Sequence, residues 1–210
     1  MEEHAQNLRK IFERLEQANF KIQSEKCVFA TDTAEYLGHI CTPLGIRPDP
    51  RKIQAIVEYP VPKKVKDIRS FIGLAGYYRR HVPNFAKFAQ PLTNLTKKNA
   101  PFIWTREQQE AFTELKRILS TEPLLIYPDF SEPFVACDAS TKALGAILSQ
   151  VRDGEEKPVT YCSRQLNSAE AKYSVTELEL LAFLFATKQF RCYLYGRRFT
   201  VYRVFHDFRA

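Results

Sequence analysis

The hydrophobic pattern of this chain changes from helical to strand-like spacing close to residue 120, and that change constrains the fold more than any other feature. Before it, apolar residues recur at helical spacing, as Phe112, Leu115 and Leu119 do. After it, short apolar runs typical of strands follow one another in "LLIY", "FVACD", "LGAILSQ" and "KPVTYCSRQL". The sequence therefore predicts a mixed chain in which helices come first and a sheet second.

Residues 1–47 are interpreted as a helix followed by a hairpin. The helix has apolar residues on one stripe, and Asn19 is expected to end it; the stripe is Leu8, Ile11, Phe12, Leu15 and Ala18. Strand-like runs follow in "KCVFA" and "EYLGHI", and "CTPLG" is expected to be a turn carrying Pro43 and Gly45. A segment of this size is too small for a complete core, so we interpret it as the tail of a domain.

Residues 48–100 are predicted to form a small all-helical unit. Asp49 suits a helix N-cap and Pro50 suits the first turn, after which Pro60 stops the helix. Its buried side is expected to carry Ile53, Ile56 and Val57. The next helix is expected to end at Pro83, with a stripe of Val65, Ile68, Phe71, Ile72 and Ala75. A further helix is predicted over about residues 85–96.

From residue 101 onward, Thr105 with Gln108 predicts a capping box at the start of another helix. After the strands and the turn "RDGEE", a long helix is predicted over about residues 174–189, and a last strand in "RFTVYRVF". The expected order is three antiparallel strands, a helix and a strand. The fold class is therefore α+β or α/β.

The charge of the chain indicates what kind of partner it binds, and its cysteines indicate the cellular compartment. The net charge of +7 and the isoelectric point of about 9.1 favour a polyanionic partner such as nucleic acid. No apolar run is long enough to span a membrane, and the polar N-terminus is not typical of a signal peptide. Five scattered cysteines without a CxxC pair indicate reduced thiols and an intracellular protein, in the cytoplasm or the nucleus. The oligomeric state is left open.

Six segments together resemble the pol polyprotein of gypsy-type LTR retrotransposons over essentially the whole chain. They occur in the family's order and spacing: "YLGHICTPLGIRPDPRKIQAI", "DIRSFIGLAGYYRRHVPNFA", "FIWTREQQEAF", "DASTKALGAILSQ", "TELELLA" and "RCYLYGRRFTVY". The resemblance implies that residues 1–47 are the end of a reverse-transcriptase palm, residues 48–100 a thumb, and residues 101–210 an RNase H-like domain truncated at its C-terminus. The family's aromatic-x-Asp-Asp polymerase motif is absent, so we expect no DNA synthesis by this chain alone.

The resemblance also implies an RNase H metal site. That chemistry uses two Mg²⁺ ions held by clustered carboxylates. Asp138 matches the family's first ligand and Glu179 its second. Without the resemblance, the residues favour Asp138 as a cap of the turn that follows it, and Glu177 is interpreted as a first-turn helix charge. The third position is occupied by Val204, and Asp207 is a poor substitute. With two of four ligands, the chain is expected to bind Mg²⁺ weakly or not at all.

A nucleic-acid face is implied by the thumb resemblance, with an RNA–DNA hybrid or DNA duplex as partner. The candidate contact residues are Tyr36, His39, Lys64, Lys66, Arg69, Gly73, Gly76, Tyr77, Arg79 and Arg80. The alternatives are a solvated basic helix end and, for the "YLGHI" segment, hairpin core.

Two kinds of function remain open from the sequence. The chain is interpreted as a fragment of a retrotransposon reverse transcriptase–RNase H, a nucleic-acid-binding part of a pol polyprotein that is catalytically deficient on its own. The alternative is a non-catalytic duplex-binding or hybrid-binding module, or a decayed element. Because the RNase H layers are incomplete, the apolar face of "LELLAFLFA" is expected to be exposed.

Overall fold

The computed structural model describes residues 2–138 and 143–203, with the backbone alone for residues 135–138 and 203. The chain divides into two units, residues 1–32 and residues 33–210. The first unit contains helix α1, Glu2–Gln17, and a 3₁₀ turn, Ser24–Lys26. Asn19 has a φ of 58°, the left-handed conformation that ends helices, which confirms the predicted end of α1.

The predicted strand in "KCVFA" is wrong. Ala30 has a φ of 51°, which breaks an extended backbone, and Val28 is exposed. Phe29 instead packs its ring edge-to-face against Phe12 of α1, with ring centroids 6.1 Å apart. No residue of α1 is buried, so its predicted apolar stripe is not covered within the described part of the chain.

The second unit contains the remaining elements. Its strands are β1 Ala34–Tyr36, β2 His39–Thr42, β3 Gly45–Pro48, β4 Phe134–Asp138, β5 Ala143–Arg152, β6 Glu155–Gln165 and β7 Phe199–Arg203. Its helices are α2 Pro50–Val57, α3 Val65–Tyr77, α4 Phe85–Asn94, α5 Arg106–Ser120, α6 Val175–Gln189 and α7 Arg191–Leu194. Two further 3₁₀ turns lie at Arg79–His81 and Glu170–Lys172. The α3 helix therefore ends before the predicted stop at Pro83.

Strands β1, β2 and β3 form an antiparallel sheet, which confirms the predicted hairpin. The run "EYLGHI", interpreted from the sequence as a strand, instead contains the turn of Leu37 and Gly38 between β1 and β2. The turn of "CTPLG" covers only Pro43 and Leu44, and Gly45 begins a third strand that the sequence did not predict. Gly45 has a φ of 146°, and a Cβ there would lie 2.2 Å from the carbonyl oxygen of Leu125. A glycine is therefore required where β3 approaches the segment after α5.

The predicted strand "LLIY" is also wrong, because this segment connects two sheets instead of joining one. Leu125 exchanges two backbone hydrogen bonds with Ile46 of β3, at 2.8 and 2.9 Å. The next residue, Ile126, donates its backbone N–H to the carbonyl oxygen of Pro158 in β6 at 2.9 Å. The segment is thus fixed at two points on different sheets.

Helices α2 to α5 enclose a core that the helical spacing predicted, except that Val57 at the end of α2 is exposed. Asp49 caps α2 by accepting a hydrogen bond from the backbone N–H of Arg51 at 2.9 Å, and Thr105 and Gln108 form the predicted capping box of α5. Phe71 of α3 and Phe112 of α5 pack with ring centroids 4.5 Å apart. The buried members of this core include Ile53, Ile56, Ile68, Phe71, Ala75, Phe112, Leu115 and Leu119.

The second sheet has the strand order β6-β5-β4-β7. Strands β4, β5 and β6 are antiparallel, and β7 returns parallel to β4 after α6. The predicted order of three antiparallel strands, a helix and a strand is therefore confirmed. Its core contains Phe134, Leu148, Val159, Ala186, Phe190 and Leu194.

The helical part of the second unit is joined to β6. Arg79 donates to the carbonyl oxygen of Ser163, and the Ser163 hydroxyl oxygen accepts a hydrogen bond from the backbone N–H of Ala86 at 3.0 Å. Gln165 donates to the hydroxyl oxygen of Thr93 at 2.5 Å. These contacts cover one edge of the sheet with the start and the end of α4.

One side of α6 packs on the sheet and the other remains exposed. Ala182 and Ala186 are buried, whereas Leu180 and Leu184 are each 54% exposed. The expected exposed apolar face in "LELLAFLFA" is therefore present. No helix among the described residues is long and apolar enough to cross a membrane.

Candidate nucleic-acid interface

The two sides of α3 have opposite characters. Ile68, Phe71 and Ala75 are buried in the helical core. Lys66, Arg69, Gly73 and Tyr77 follow one another at intervals of three or four residues, and all four are exposed. We call these four residues the outer face of α3. The predicted contact residues on this helix are therefore placed side by side and are accessible from solvent.

Positive charge is concentrated around this helix. Residues 48–100 contain eleven Lys and Arg but only three Asp and Glu, a surplus of eight positive charges that exceeds the net charge of +7 of the whole chain. Lys64 is exposed and occupies the N-cap of α3 without a side-chain capping hydrogen bond. A cation is unfavourable at that end of a helix dipole, so an anion bound there would relieve the repulsion.

Two glycines of α3 have different surroundings. A Cβ at Gly73 would meet no atom within 4 Å, whereas a Cβ at Gly76 would lie 3.7 Å from the ring of Phe85. Gly73 therefore leaves the helix backbone open toward solvent. Gly76 faces the inside of the helical unit, so close approach by a ligand is available at the first position only.

The turn between β1 and β2 is held against the end of α3. Tyr77 donates its hydroxyl to the carbonyl oxygen of Leu37, and Tyr78 donates to that of Gly38 at 2.8 Å. The same Gly38 oxygen accepts a hydrogen bond from the backbone N–H of Asp49 at 3.0 Å. Burial raises the pKa of Tyr78 to about 12, so its hydroxyl stays protonated as a donor. The hairpin and α3 consequently form one fixed surface.

The neighbouring arginines at the end of α3 have different roles. Arg79 contacts Ser163, as described above, and its guanidinium lies 5.9 Å from the centre of the Phe85 ring. Arg80 lines a cleft instead. The geometry therefore gives Arg79 a structural contact and leaves Arg80 facing an open space.

This cleft has a volume of about 370 Å³ and lies between the β1–β2 hairpin, the end of α3 and the second sheet. We call it the hairpin cleft. It brings together four of the predicted contact residues, Tyr36, His39, Tyr77 and Arg80. Its other described lining residues are Cys41, Ile46, His81, Leu125, Ile126, Pro128, Val159, Thr160 and Tyr193.

Apart from Lys64, Gly76 and Arg79, the predicted contact residues thus lie in two neighbouring groups that share Tyr77. Tyr36 is 66% exposed, so it is not hairpin core, whereas Ile40 is buried. The residues that close the cleft on its other side, such as Val159 of β6 and Tyr193 of α7, were not predicted. They lie more than a hundred residues from the hairpin in sequence, and no local pattern marks them.

The predicted carboxylate pair lies at the second sheet. Asp138 ends β4, where its backbone is in register with Ala146 of β5 and Arg203 of β7. Glu179 is half-buried on α6, and Glu177 belongs to the capping box with Ser174, whose hydrogen bonds lower the pKa of Glu177. Among the side chains that the structure describes, no group of three or more His, Cys, Asp or Glu could hold a metal ion. Val204 and Asp207 lie outside the described residues.

Comparison with known proteins identifies relatives for both halves of the chain. Residues 104–201 match the family described as the RNase H-like domain found in reverse transcriptase. The chain is 47% identical over 201 residues to the retrovirus-related Pol polyprotein from transposon 297 of Drosophila melanogaster, covering 95% of this chain and 19% of that protein. It is 38% identical over 209 residues to the Pol polyprotein from transposon gypsy of the same fly, covering 93% and 20%. The chain thus spans about a fifth of the length of these curated relatives.

Solved structures of foamy viral protease–reverse transcriptase share the fold. The structure in complex with an RNA/DNA hybrid has a TM-score of 0.79 at 24% identity, covering 97% of this chain and 28% of that chain. The structure in complex with dsDNA has a TM-score of 0.76 at 25% identity, covering 96% and 42%.

Proposed function

We propose that this chain, which is similar to the Pol polyproteins of gypsy-type LTR retrotransposons, is a part of a reverse transcriptase–RNase H that binds an RNA–DNA hybrid or a DNA duplex. The outer face of α3 is the observation that carries this proposal. Lys66 and Arg69 can neutralise backbone phosphates, and Gly73 admits a strand close to the helix backbone.

The parent activities in this proposal are RNA-directed DNA synthesis and hydrolysis of RNA in RNA–DNA hybrids. Residues 1–47 would be the palm end, residues 48–100 the thumb and residues 101–210 the RNase H-like part. The family match over residues 104–201 supports the last assignment. The solved complexes of foamy viral protease–reverse transcriptase with RNA/DNA hybrid and with dsDNA support the choice of partner.

We propose that the chain itself does not catalyse hydrolysis. A two-Mg²⁺ site needs several converging carboxylates, and Asp138 with Glu179 are only two. The backbone of Asp138 is in register with Arg203 of β7, and the third ligand position that the resemblance implies is Val204, which has no carboxylate. The residues that the structure describes, together with Val204 at the third position, therefore do not fit a two-metal site.

A cleavage assay tests this catalytic deficiency. We expect no specific cutting of an RNA–DNA hybrid at millimolar Mg²⁺, and the same background for the chain and for its Asp138→Asn variant. Specific cleavage that disappears in Asp138→Asn would show that the site is functional and that the deficiency is wrong.

The binding proposal is tested by the salt dependence of hybrid binding. Replacing Lys66 and Arg69 by Gln removes two phosphate contacts, so the slope of log K against log salt should become shallower by about 1.4 to 1.8. A matched control replaces the exposed Lys172 and Lys188 by Gln, which removes the same charge from the region of α6. The control should keep the slope. Equal effects of the two double variants would indicate non-specific attraction and would contradict a binding face on α3.

A further inference from the structure

The hairpin cleft differs in shape and chemistry from the outer face of α3. The helix face is open and suits a passing backbone, whereas the cleft encloses about 370 Å³, within the size range of small-molecule sites. Its floor is mostly apolar, with Ile126 and Val159 among the lining residues. A space of this kind suits a compact ligand with an apolar, flat part.

Aromatic rings stand at one wall of the cleft. Tyr36 and Tyr77 are 66% and 55% exposed, although both line it. The ring of His39 lies 5.6 Å from that of Tyr77 and is stacked on the buried ring of His81, with centroids 5.3 Å apart. Exposed rings fixed in this way offer a preformed surface on which a planar base can stack.

The position of these rings is set by hydrogen bonds at their polar ends. Nδ1 of His39 lies 3.0 Å from the carbonyl oxygen of Leu37, and the hydroxyl of Tyr77 donates to the same oxygen. Both rings are therefore held before any ligand arrives. Preorganisation of this kind lowers the entropic cost of binding.

Charge selects the class of ligand. Arg80 is the one Lys or Arg among the described residues that line the cleft, and no Asp or Glu is found among them. Its guanidinium can bind a phosphate through two parallel hydrogen bonds. A cation beside aromatic rings therefore favours an aromatic anion over a neutral or cationic ligand.

We propose that the hairpin cleft binds a single nucleoside 5′-phosphate, with its base against His39 and Tyr77 and its phosphate on Arg80. The nucleotide is either free or an unpaired residue at the end of a strand. This site shares Tyr77 with the outer face of α3, but its ligand differs from a duplex, because it needs no second nucleotide and no pairing.

Calorimetric titration with mononucleotides tests the site. Adenosine 5′-monophosphate should bind about tenfold tighter than adenosine, since only the nucleotide engages Arg80. Arg80→Gln should abolish that difference, and His39→Ala should weaken both ligands. Lys98→Gln, which removes one charge at an exposed position, should behave as the parent chain. Thermal melts with circular dichroism check that each variant is folded.

Two arms distinguish the sources of the nucleotide. An RNA–DNA hybrid with one unpaired terminal nucleotide should bind several-fold tighter than the blunt hybrid if the strand supplies the ligand, and Arg80→Gln should remove that preference. Mononucleotide binding without an overhang preference would assign the site to free nucleotide. The proposed site is wrong if the parent chain binds nucleotide and nucleoside equally. It is also wrong if the mononucleotide shows no saturable binding and the hybrid shows no overhang preference. Loss of blunt-hybrid binding alone would overturn the duplex proposal and leave the mononucleotide result standing.

Discussion

The hydroxyl oxygen of Ser163 in β6 accepts a hydrogen bond at 3.0 Å from the backbone N–H of Ala86 in the first turn of α4. Asn84, the N-cap residue of α4, has a left-handed φ of 50° and makes no side-chain capping hydrogen bond. The start of α4 is therefore capped from a strand 77 residues away. This contact joins the helical part of the second unit to its second sheet.

Replacing Ser163 by Ala should lower the free energy of unfolding by about 1–2 kcal/mol, because a buried N–H loses its acceptor. Denaturant unfolding measures this change. Ser168→Ala, at an exposed position a few residues further on, is the matched control and should stay within about 0.5 kcal/mol of the parent. A loss of equal size in both variants would mean that the capping contact contributes nothing.

His81 predicts a pH dependence of stability. It is 2% exposed, and because its acceptor is a carbonyl oxygen, the Nδ1–H donates to Pro123 at 3.0 Å. Burial lowers its pKa from 6.5 to about 4; the bond to Pro123 raises it, and nearby His39 and Arg80 lower it further. Between pH 6.5 and about 4, His81 is protonated in the unfolded chain but remains neutral in the folded chain.

The contribution of neutral His81 to the free energy of unfolding should therefore be fully present above pH 6.5. It should be lost as the pH falls toward 4, which lowers the free energy of unfolding by at most about 3 kcal/mol. His81→Asn keeps a donor for Pro123 but cannot titrate, so its stability should change less over this range. His4→Asn, at an exposed position of α1, should retain the full dependence. Denaturant midpoints across the pH range provide the measurement, and parallel curves for the parent and His81→Asn would contradict the assignment.

The sequence predicted elements whose signals are local. The capping residues Thr105 and Gln108 and the spacing of Phe112, Leu115 and Leu119 were enough to place α5, because each signal lies within the helix itself. The "LLIY" segment has the same apolar composition as a strand. The strand predicted for this segment is wrong because Leu125 pairs with Ile46, a partner 79 residues away that no local pattern identifies.

In the candidate site too, the features with local signals could be predicted, and those that depend on distant contacts could not. The outer face of α3 could be found from the sequence, since Lys66, Arg69 and Gly73 lie on one helix at helical spacing. The hairpin cleft could not, because it depends on how Tyr36, Tyr77 and Val159 come together in the folded chain.

Two glycines with positive φ should respond differently to a Cβ. Gly45→Ala places its Cβ about 2.2 Å from the Leu125 carbonyl oxygen, so β3 must move and the two backbone hydrogen bonds between Ile46 and Leu125 should be lost. Gly154 has a φ of 79°, but a Cβ there would meet nothing within 4 Å. Its replacement by Ala costs only the left-handed strain, about 1–2 kcal/mol.

Unfolding free energies of the two variants should therefore differ by more than about 1 kcal/mol, with Gly45→Ala the less stable. Amide hydrogen exchange at Ile46 and Leu125 shows whether the bridge is the part that opens. A Gly45→Ala variant as stable as Gly154→Ala, with both amides still protected, would show that β3 tolerates a side chain.

Gly73 separates the stability of α3 from its use in binding. A side chain at this position meets open space, so Gly73→Ala should stabilise the helix by about 0.5–1 kcal/mol through its better propensity. If a strand of the hybrid lies against the helix backbone here, the same change should weaken binding. A larger side chain should weaken it further, by about tenfold or more for Gly73→Leu.

Stability and affinity would then change in opposite directions, which a folding defect cannot produce. Fluorescence anisotropy with a labelled hybrid gives the affinity, and denaturant unfolding gives the stability. Thr113→Leu, on an exposed position of α5, introduces the same side chain away from the outer face of α3 and should leave hybrid affinity unchanged. Unaltered binding by Gly73→Leu would mean that the nucleic acid does not approach α3 at this position, because a Cβ there meets no protein atom within 4 Å and the side chain extends toward solvent.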